Sequence, residues 1–240
     1  MTAHSLIDTT FDFRSDTPAG KDPDALSPTL RKYHKHLWSR PLPSGAMFTL
    51  DDTNPKIYLH HISELGEFSL SSDSAIHSFS RWKSMAHIMS QIKAEEIEEF
   101  KKIGYTIGGM LIFPANRVNG KSTINGARGM HPLIKDRIDL TLECIRRYYI
   151  NENSPLSDTL GRYKNFFELF SNFQGYINFF LLQDLVTEDF KSIKFLIRFD
   201  NFKPPIVPTN LDEYLNYKDL AIEFVQNRNK RITSTVISVT

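Results

Sequence analysis

The sequence has one cysteine, Cys144. No intramolecular disulfide can form, and a reducing, cytoplasmic compartment is the simplest expectation. Long apolar runs are also missing. Gly108 to Phe113 and Phe179 to Leu182 are the longest, far short of the roughly 20 residues that span a bilayer. No membrane partner is therefore expected. The first residues lack the apolar stretch of a secretory leader. An excess of charge of either sign is absent too: 29 Lys and Arg face 28 Asp and Glu, for a net charge of +1. That balance counts against a protein that holds nucleic acid by bulk charge, although a local basic groove remains compatible with it.

What is present reads as an ordinary folded chain. Hydrophobic residues are 40% and charged residues 24% of the 240 residues, which excludes bulk disorder. The length is within reach of one globular domain, 1–240. There are 18 Phe and 9 Tyr, many between Tyr148 and Phe202. A ring-filled core is the plain reading, and a stacking platform for bases is the functional rival.

Residues 1–26 carry scattered Asp, Pro and Gly and are expected to be irregular. The alternation of rings and charges from Phe11 to Asp24 nevertheless favours an ordered segment facing a ligand. Ser27-Pro28 predicts a helix start with Ser27 as cap, ending before Pro41 or Pro43. Runs 46–50 and 56–60 predict a hairpin across turn residues Asp51 to Pro55. Ser71 to Ser74 reads as the cap of a long helix carrying Ile76, Phe79, Trp82, Met89 and Ile92, with Lys93 to Lys102 as its solvated end. Tyr105 to Phe113 predicts a buried strand, 115–130 a loop, and Pro132 to Ile150 the clearest helix, with Ile134, Ile138, Leu142, Ile145 and Tyr149 as its apolar stripe. Leu160, Tyr163, Phe167 and Phe170 form a second stripe, with Gly175 as a bend. Ile193 to Phe199 predicts a strand and Leu211 to Arg228 a last helix. The whole is α+β, with helices packed on a small sheet.

Several constellations could carry chemistry. Ala115 to Ser122 fits a relaxed phosphate-loop pattern after a strand, but the mechanism needs a helix beginning at Lys121-Ser122. Gly126, Gly129 and Pro132 disfavour one, so a polar loop is expected. Asn125 and Arg128 lie in a glycine-bearing stretch where backbone can approach a ligand, and Arg128 could grip a phosphate with two hydrogen bonds. Asp136, Asp139, Glu143 and Arg147 recur three or four apart, as a solvated ion-paired face or as carboxylates aimed into a pocket. Ser71 to Ser74 could present hydroxyls and the Asp73 carboxylate to a ligand. His34 and His36 do not share a helix face, and His60 and His61 point oppositely on a strand. With no second cysteine and no His-Glu-x-x-His pattern, neither metal nor cofactor is assigned. Cys144 reads as a packed, inert thiol.

The strings FDFRSDTPAGKDPDALSPTLRKYHKHLWSRPLPSG, YLHHISELGEFSLSSDS, INGARGMHPLIKDRIDLTLECIRRYY and SPLSDTLGRYKNFFELFSNFQGY resemble those of a bacterial and phage family of unknown function, over nearly the whole chain. The sequence is also similar to anti-phage DNA glycosylases. That resemblance implies a double-stranded phage DNA partner, a hypermodified cytosine such as glucosylated hydroxymethylcytosine as substrate, and excision of a flipped base. It transfers no residue roles. On chemical grounds Phe13, Arg14 and Trp38 are candidates to hold the base, and Arg128 and Lys21 the phosphates. Glu143 or Asp136, then Asp16 and Asp73, are candidates for the carboxylate that stabilises a cationic sugar or orients water. A metal-dependent nuclease or nucleotidyl transferase, and a non-catalytic binding factor, are the alternatives.

Overall fold

The computed structural model describes residues 7–237; residues 1–6 of the expected N-terminal segment lie outside that range. The N-terminal segment is ordered from Ile7. A 3-10 turn covers Phe13–Asp16, capped by the Asp12 side chain. Two helices then start by the same device. Asp22 accepts from the N–H of Asp24, and Ser27 from that of Leu30. Each precedes a proline, whose missing N–H costs nothing at a first helical position. They open α1 (Pro23–Leu26) and α2 (Pro28–Trp38). The expected start at Ser27-Pro28 is met, and α2 buries Leu30, Tyr33, His34, Leu37 and Trp38 on one face.

The hairpin expected between 46–50 and 56–60 is reduced to one bridge, Asp51 with His60. Instead β1 (Arg40–Pro41) pairs with β2 (Met47–Phe48), and β3 (Leu59–Ser63) turns directly into β4 (Gly66–Ser74). β5 (Met110–Pro114) pairs antiparallel along the other side of β4, from Leu70 opposite Pro114 to Ser74 opposite Met110. Ser71 to Ser74 is therefore a central strand and not a helix cap. Serine and aspartate are weak strand formers, but pairing on both sides decides the matter, with Phe68, Leu70, Ser72 and Ser74 alternately buried.

The long helix expected after Ser74 is missing. Residues 75–82 are irregular, and helix resumes only in α3 (Ala86–Met89) and α4 (Ala94–Gly104). The expected loop 115–130 holds α5 (Ile124–Met130), capped by Thr123. The helix expected from Pro132 begins only at Ile138, as α6 (Ile138–Tyr149). Lys135 and Asp136 have φ of +51° and +61°, a left-handed conformation that no right-handed helix contains. The second aromatic stripe is buried as expected, across α7 (Ser157–Gly161), α8 (Lys164–Glu168) and α9 (Phe173–Phe179). The segment is broken twice, at 162–163 and at 169–172, where Ser171 has φ +65°, and not at Gly175, which lies inside α9. Ile193 to Phe199 forms no strand, only a Val186–Ile193 bridge.

The last helix, α10 (Leu211–Ile237), is longer than expected. It packs against α4 and the 107–109 turn. Gly108 allows this approach: a Cβ there would lie 2.5 Å from the carbonyl oxygen of Val225. Arg228, fully buried, donates to the carbonyls of Gly108, Met110 and Phe180, tying α10 to the start of β5 and to the aromatic layer. A continuous buried cluster runs from Ile7 to Ile232. The fold is α+β, with helices on two small antiparallel sheets among the described residues. No described helix is long and apolar enough to cross a membrane.

Candidate functional site

α1 packs against β4, which brings Asp24 beside the end of that strand. A cavity of about 700 Å³ opens there. Its walls are the 17–24 segment, Asp73 and Ser74 of β4, the irregular 76–82 stretch, and Glu98 and Lys101 of α4.

Arg128 organises the floor of the site. It is fully buried on α5. Its Nη1 donates to Asp73 Oδ2 and lies 2.7 Å from Asp136 Oδ1. Nη2 donates to the Asp136 carbonyl at 2.7 Å, and Nε to Thr141 Oγ1 at 3.2 Å. The left-handed turn at Lys135-Asp136 is what folds Asp136 back over α5. The other oxygen of Asp136 meets His77 Nε2 at 2.8 Å. His77 is itself fixed through its backbone: its N–H donates to the Tyr217 hydroxyl, which donates to the His77 carbonyl.

Three carboxyls with different surroundings result. Asp24 as a residue is partly exposed, but its Oδ1 is shut from solvent and has no hydrogen-bond partner, while Oδ2 accepts from Ser74 Oγ at 3.3 Å. Burial, with the charges of Asp73, Asp22 and Asp136, pushes its pKa well above the ordinary carboxyl value. Burial also raises Asp73, against the pull of Arg128. For Asp136 burial acts upward as well, but Arg128 and His77 outweigh it, and the net shift is downward. One cluster thus holds a carboxyl inclined to keep its proton and another inclined to lose it, the arrangement that divides acid from base.

The candidates from the sequence fall into two groups. Asp73, Asp136 and Arg128 come together here, and Arg14 and Lys21 line the same cavity. Arg128 has no free edge for a phosphate, because its nitrogens are taken by protein partners. Arg14 is held by Asp12 and Glu98 and lies 5.5 Å from the Tyr105 ring centre. The others lie elsewhere. Phe13 and Trp38 are fully buried, with no ring face open to a base. Trp38 Nε1 donates to His34 Nδ1 at 3.0 Å, and that ring, pushed down to a pKa of about 3 by burial, stays neutral. Asp16 accepts from Ser27 Oγ and the Thr29 N–H, serving the start of α2. Asn125 donates to Ser71 Oγ and the Ser72 carbonyl, pinning α5 to β4. Glu143 pairs with Arg146 and Arg147, which carry its pKa below the usual range against the upward effect of burial.

Sequence reasoning gave no site role to the cavity residues His77 and Trp82, and named Asp24 only within the Phe11 to Asp24 segment expected to face a ligand. Asp24 stood in the acidic segment among four similar aspartates. His77 and Trp82 were read as part of a helix that does not form. Gly126 and Gly129 do not prevent a helix after the phosphate-loop pattern, as α5 contains both, but that helix starts at Ile124, after Thr123, and not at Lys121-Ser122. The Cys144 thiol is buried, and burial pushes its pKa to about 12, in keeping with an inert side chain. Among the described residues, no group of three or more His, Cys, Asp or Glu is arranged to hold a metal ion.

No curated protein and no solved structure matches the chain. A family model does, over residues 7–232. The chain belongs to that family, described as a family of unknown function, DUF6994.

Proposed function

We propose that this chain hydrolyses an N-glycosidic bond in DNA, with a modified cytosine base in phage DNA as the substrate and antiviral defence as the role. The sequence resemblance suggests the substrate. The observation that supports the chemistry is the Asp24 carboxyl, with one sealed and unpartnered oxygen, facing the same cavity as the arginine-held Asp73.

In this reading the base enters the cavity after leaving the duplex stack, and the half-buried Trp82 ring offers it an apolar face. As the C1′–N bond breaks, its electron pair leaves with the base. Asp24 gives its proton to the departing ring, and the sugar becomes oxocarbenium-like. Asp73, held in place by Arg128, stabilises that positive charge. His77, whose Nε2 lies 2.8 Å from Asp136, takes one proton through Nδ1 from the water that attacks C1′. The products are the free base and an abasic sugar. The proton on His77 and the one lost from Asp24 balance, and exchange with solvent restores both.

The test is incubation of the purified protein, in chelator, with matched duplexes carrying ordinary, hydroxymethylated or glucosylated cytosine, with products analysed by mass spectrometry. A released modified base and an abasic site are expected from wild type. Asp24→Asn should lower the rate about 10²–10⁴-fold, the usual weight of a general acid or base. Intact DNA in every sample overturns the proposal.

A further inference from the structure

Three cations around the cavity have no carboxylate partner. Lys21, Arg81 and Lys101 all line it. Lys21 and Arg81 are exposed and Lys101 is half-buried. Among the described residues, none of the three enters an ion pair or a side-chain hydrogen bond, whereas Arg14 in the same wall is neutralised by Asp12 and Glu98.

Lone lysines on a surface are ordinary. Here, however, the three cations line one concave site whose anions are mostly spent. Asp73 is held by Arg128, and Glu98 by Arg14. Burial pushes Asp24 toward its neutral form. Of the lining carboxylates, Asp22 remains to oppose the three. The chain as a whole has a net charge of +1, so this local excess is a matter of placement and not of composition. Ser78 and Ser80, whose hydroxyls bond to each other at 3.0 Å in the same wall, leave one further hydroxyl donor. A volume of about 700 Å³ is within the range of pockets that enclose small ligands.

We infer that Lys21, Arg81 and Lys101 form a phosphate subsite, which takes the phosphate ester of the nucleotide whose base is cleaved at Asp24. Assigning the phosphate to a nucleotide rests on the glycosidic reading above. The same chemistry is offered by the terminal phosphate of a mononucleotide and by an internal phosphodiester of DNA. Arginine grips such a group through a planar fork, and lysine as a point charge.

Fluorescence supplies a readout that does not need turnover. The chain has two tryptophans; Trp38 is sealed in the core, and Trp82 lines the cavity. Quenching of the full chain would be titrated with inorganic phosphate, deoxycytidine, deoxycytidine 5′-monophosphate and a short single-stranded oligodeoxycytidylate, with Trp82→Phe as the control for signal origin. The monophosphate is expected to bind at least tenfold more tightly than the nucleoside, to be displaced by inorganic phosphate, and to weaken as salt is raised. The Arg81→Ala/Lys101→Ala double variant should lose that tenfold preference and keep the affinity for deoxycytidine. Its exposed or half-exposed positions leave the core intact, which circular dichroism would verify.

An oligonucleotide that binds more tightly than the mononucleotide assigns the subsite to an internal phosphodiester, and the reverse order assigns it to a terminal phosphate; both support it. Equal binding of nucleoside and monophosphate, no binding of any probe, or a double variant that keeps the preference overturns it. The two proposals fail separately. Phosphate preference without base release from DNA removes the glycosidic reading alone. Base release at an equal rate by wild type and the double variant removes the subsite alone.

Discussion

Arg128 and Asp136 hold each other through both backbone and side chain. The Asp136 N–H donates to the Arg128 carbonyl at 3.1 Å, and Arg128 Nη2 donates to the Asp136 carbonyl at 2.7 Å. Nη1 then reaches the Asp136 carboxylate at 2.7 Å. The guanidinium is fully buried, and the same Nη1 serves Asp73. One arginine thus sets the positions of two carboxylates that come from a strand and from a turn.

That arrangement makes Arg128 costly to remove. Arg128→Met leaves Asp73 and Asp136 without their counter-charge in a largely buried setting. Breaking a buried ion pair from one side typically costs about 3–5 kcal/mol. Urea unfolding at pH 7 should show a loss of that order. Adding Asp73→Asn and Asp136→Asn to Arg128→Met should recover part of it, because the stranded charges are then gone. A loss below about 1 kcal/mol, the range of an exposed pair, would contradict the buried network.

Asp24 should trade stability against activity. Its pKa is higher folded than unfolded. Between those two values the folded state holds more protons, so stability is full below the ordinary carboxyl value near 4 and falls as pH rises through the folded value. Asp24→Asn removes that slope. The variant should therefore gain on wild type as pH rises from 4, levelling once the folded value is passed, in urea midpoints measured across that range. Glycosidic activity of wild type should decline over the same upper limb, as the acid loses its proton. A variant that is less stable than wild type at pH 8 and equal to it at pH 4 would reverse the sign and refute the assignment.

Gly108 tests the seat of α10. A Cβ at this position would lie 2.5 Å from Val225 O and 2.6 Å from Asn229 Oδ1, and Asn229 Oδ1 already accepts from the Gly108 N–H at 2.7 Å. Gly108→Ala should destabilise by about 1–3 kcal/mol, the usual cost of overpacking, in thermal or urea unfolding. Gly20→Ala is the comparison for crowding. Its Cβ would meet nothing within 4 Å, so its cost comes from the φ of +74° alone, about 1–2 kcal/mol.

Much of the fold was legible where the signal is local. Ser27-Pro28 started a helix because a hydroxyl and a missing N–H act within four residues. Leu160, Tyr163, Phe167 and Phe170 read as buried because their spacing follows the helix period. β5 was visible in the apolar run Met110 to Phe113, although the expected strand began at Tyr105 and residues 107–109 form a 3-10 turn instead. Errors arose where pairing overrides local preference. Ser71 to Ser74 carries cap residues, yet neighbours on both sides make it a strand. Ile76, Phe79 and Trp82 have helical spacing, yet the chain there is irregular. Pro132 suggested a helix start, but two left-handed residues delay it to Ile138. Of the site, Asp73, Asp136, Arg128, Arg14 and Lys21 were named from their chemistry. Asp24 and His77 were not, because nothing within their own segments distinguishes them.

The sequence by itself determined a folded α+β chain with an aromatic core, a lone thiol without a disulfide partner, and balanced charge. These properties follow from composition and short-range spacing. Only the tertiary structure decided which carboxylates meet. Asp24, Asp73 and Asp136 lie 49 and 63 residues apart along the chain, and α1, β4 and the turn before α6 bring them to one cluster, of which Asp24 and Asp73 line the cavity. The opposite pKa shifts of Asp24 and Asp136 are likewise tertiary: they depend on burial and on the distance to Arg128, and neither is written in the spacing of the residues.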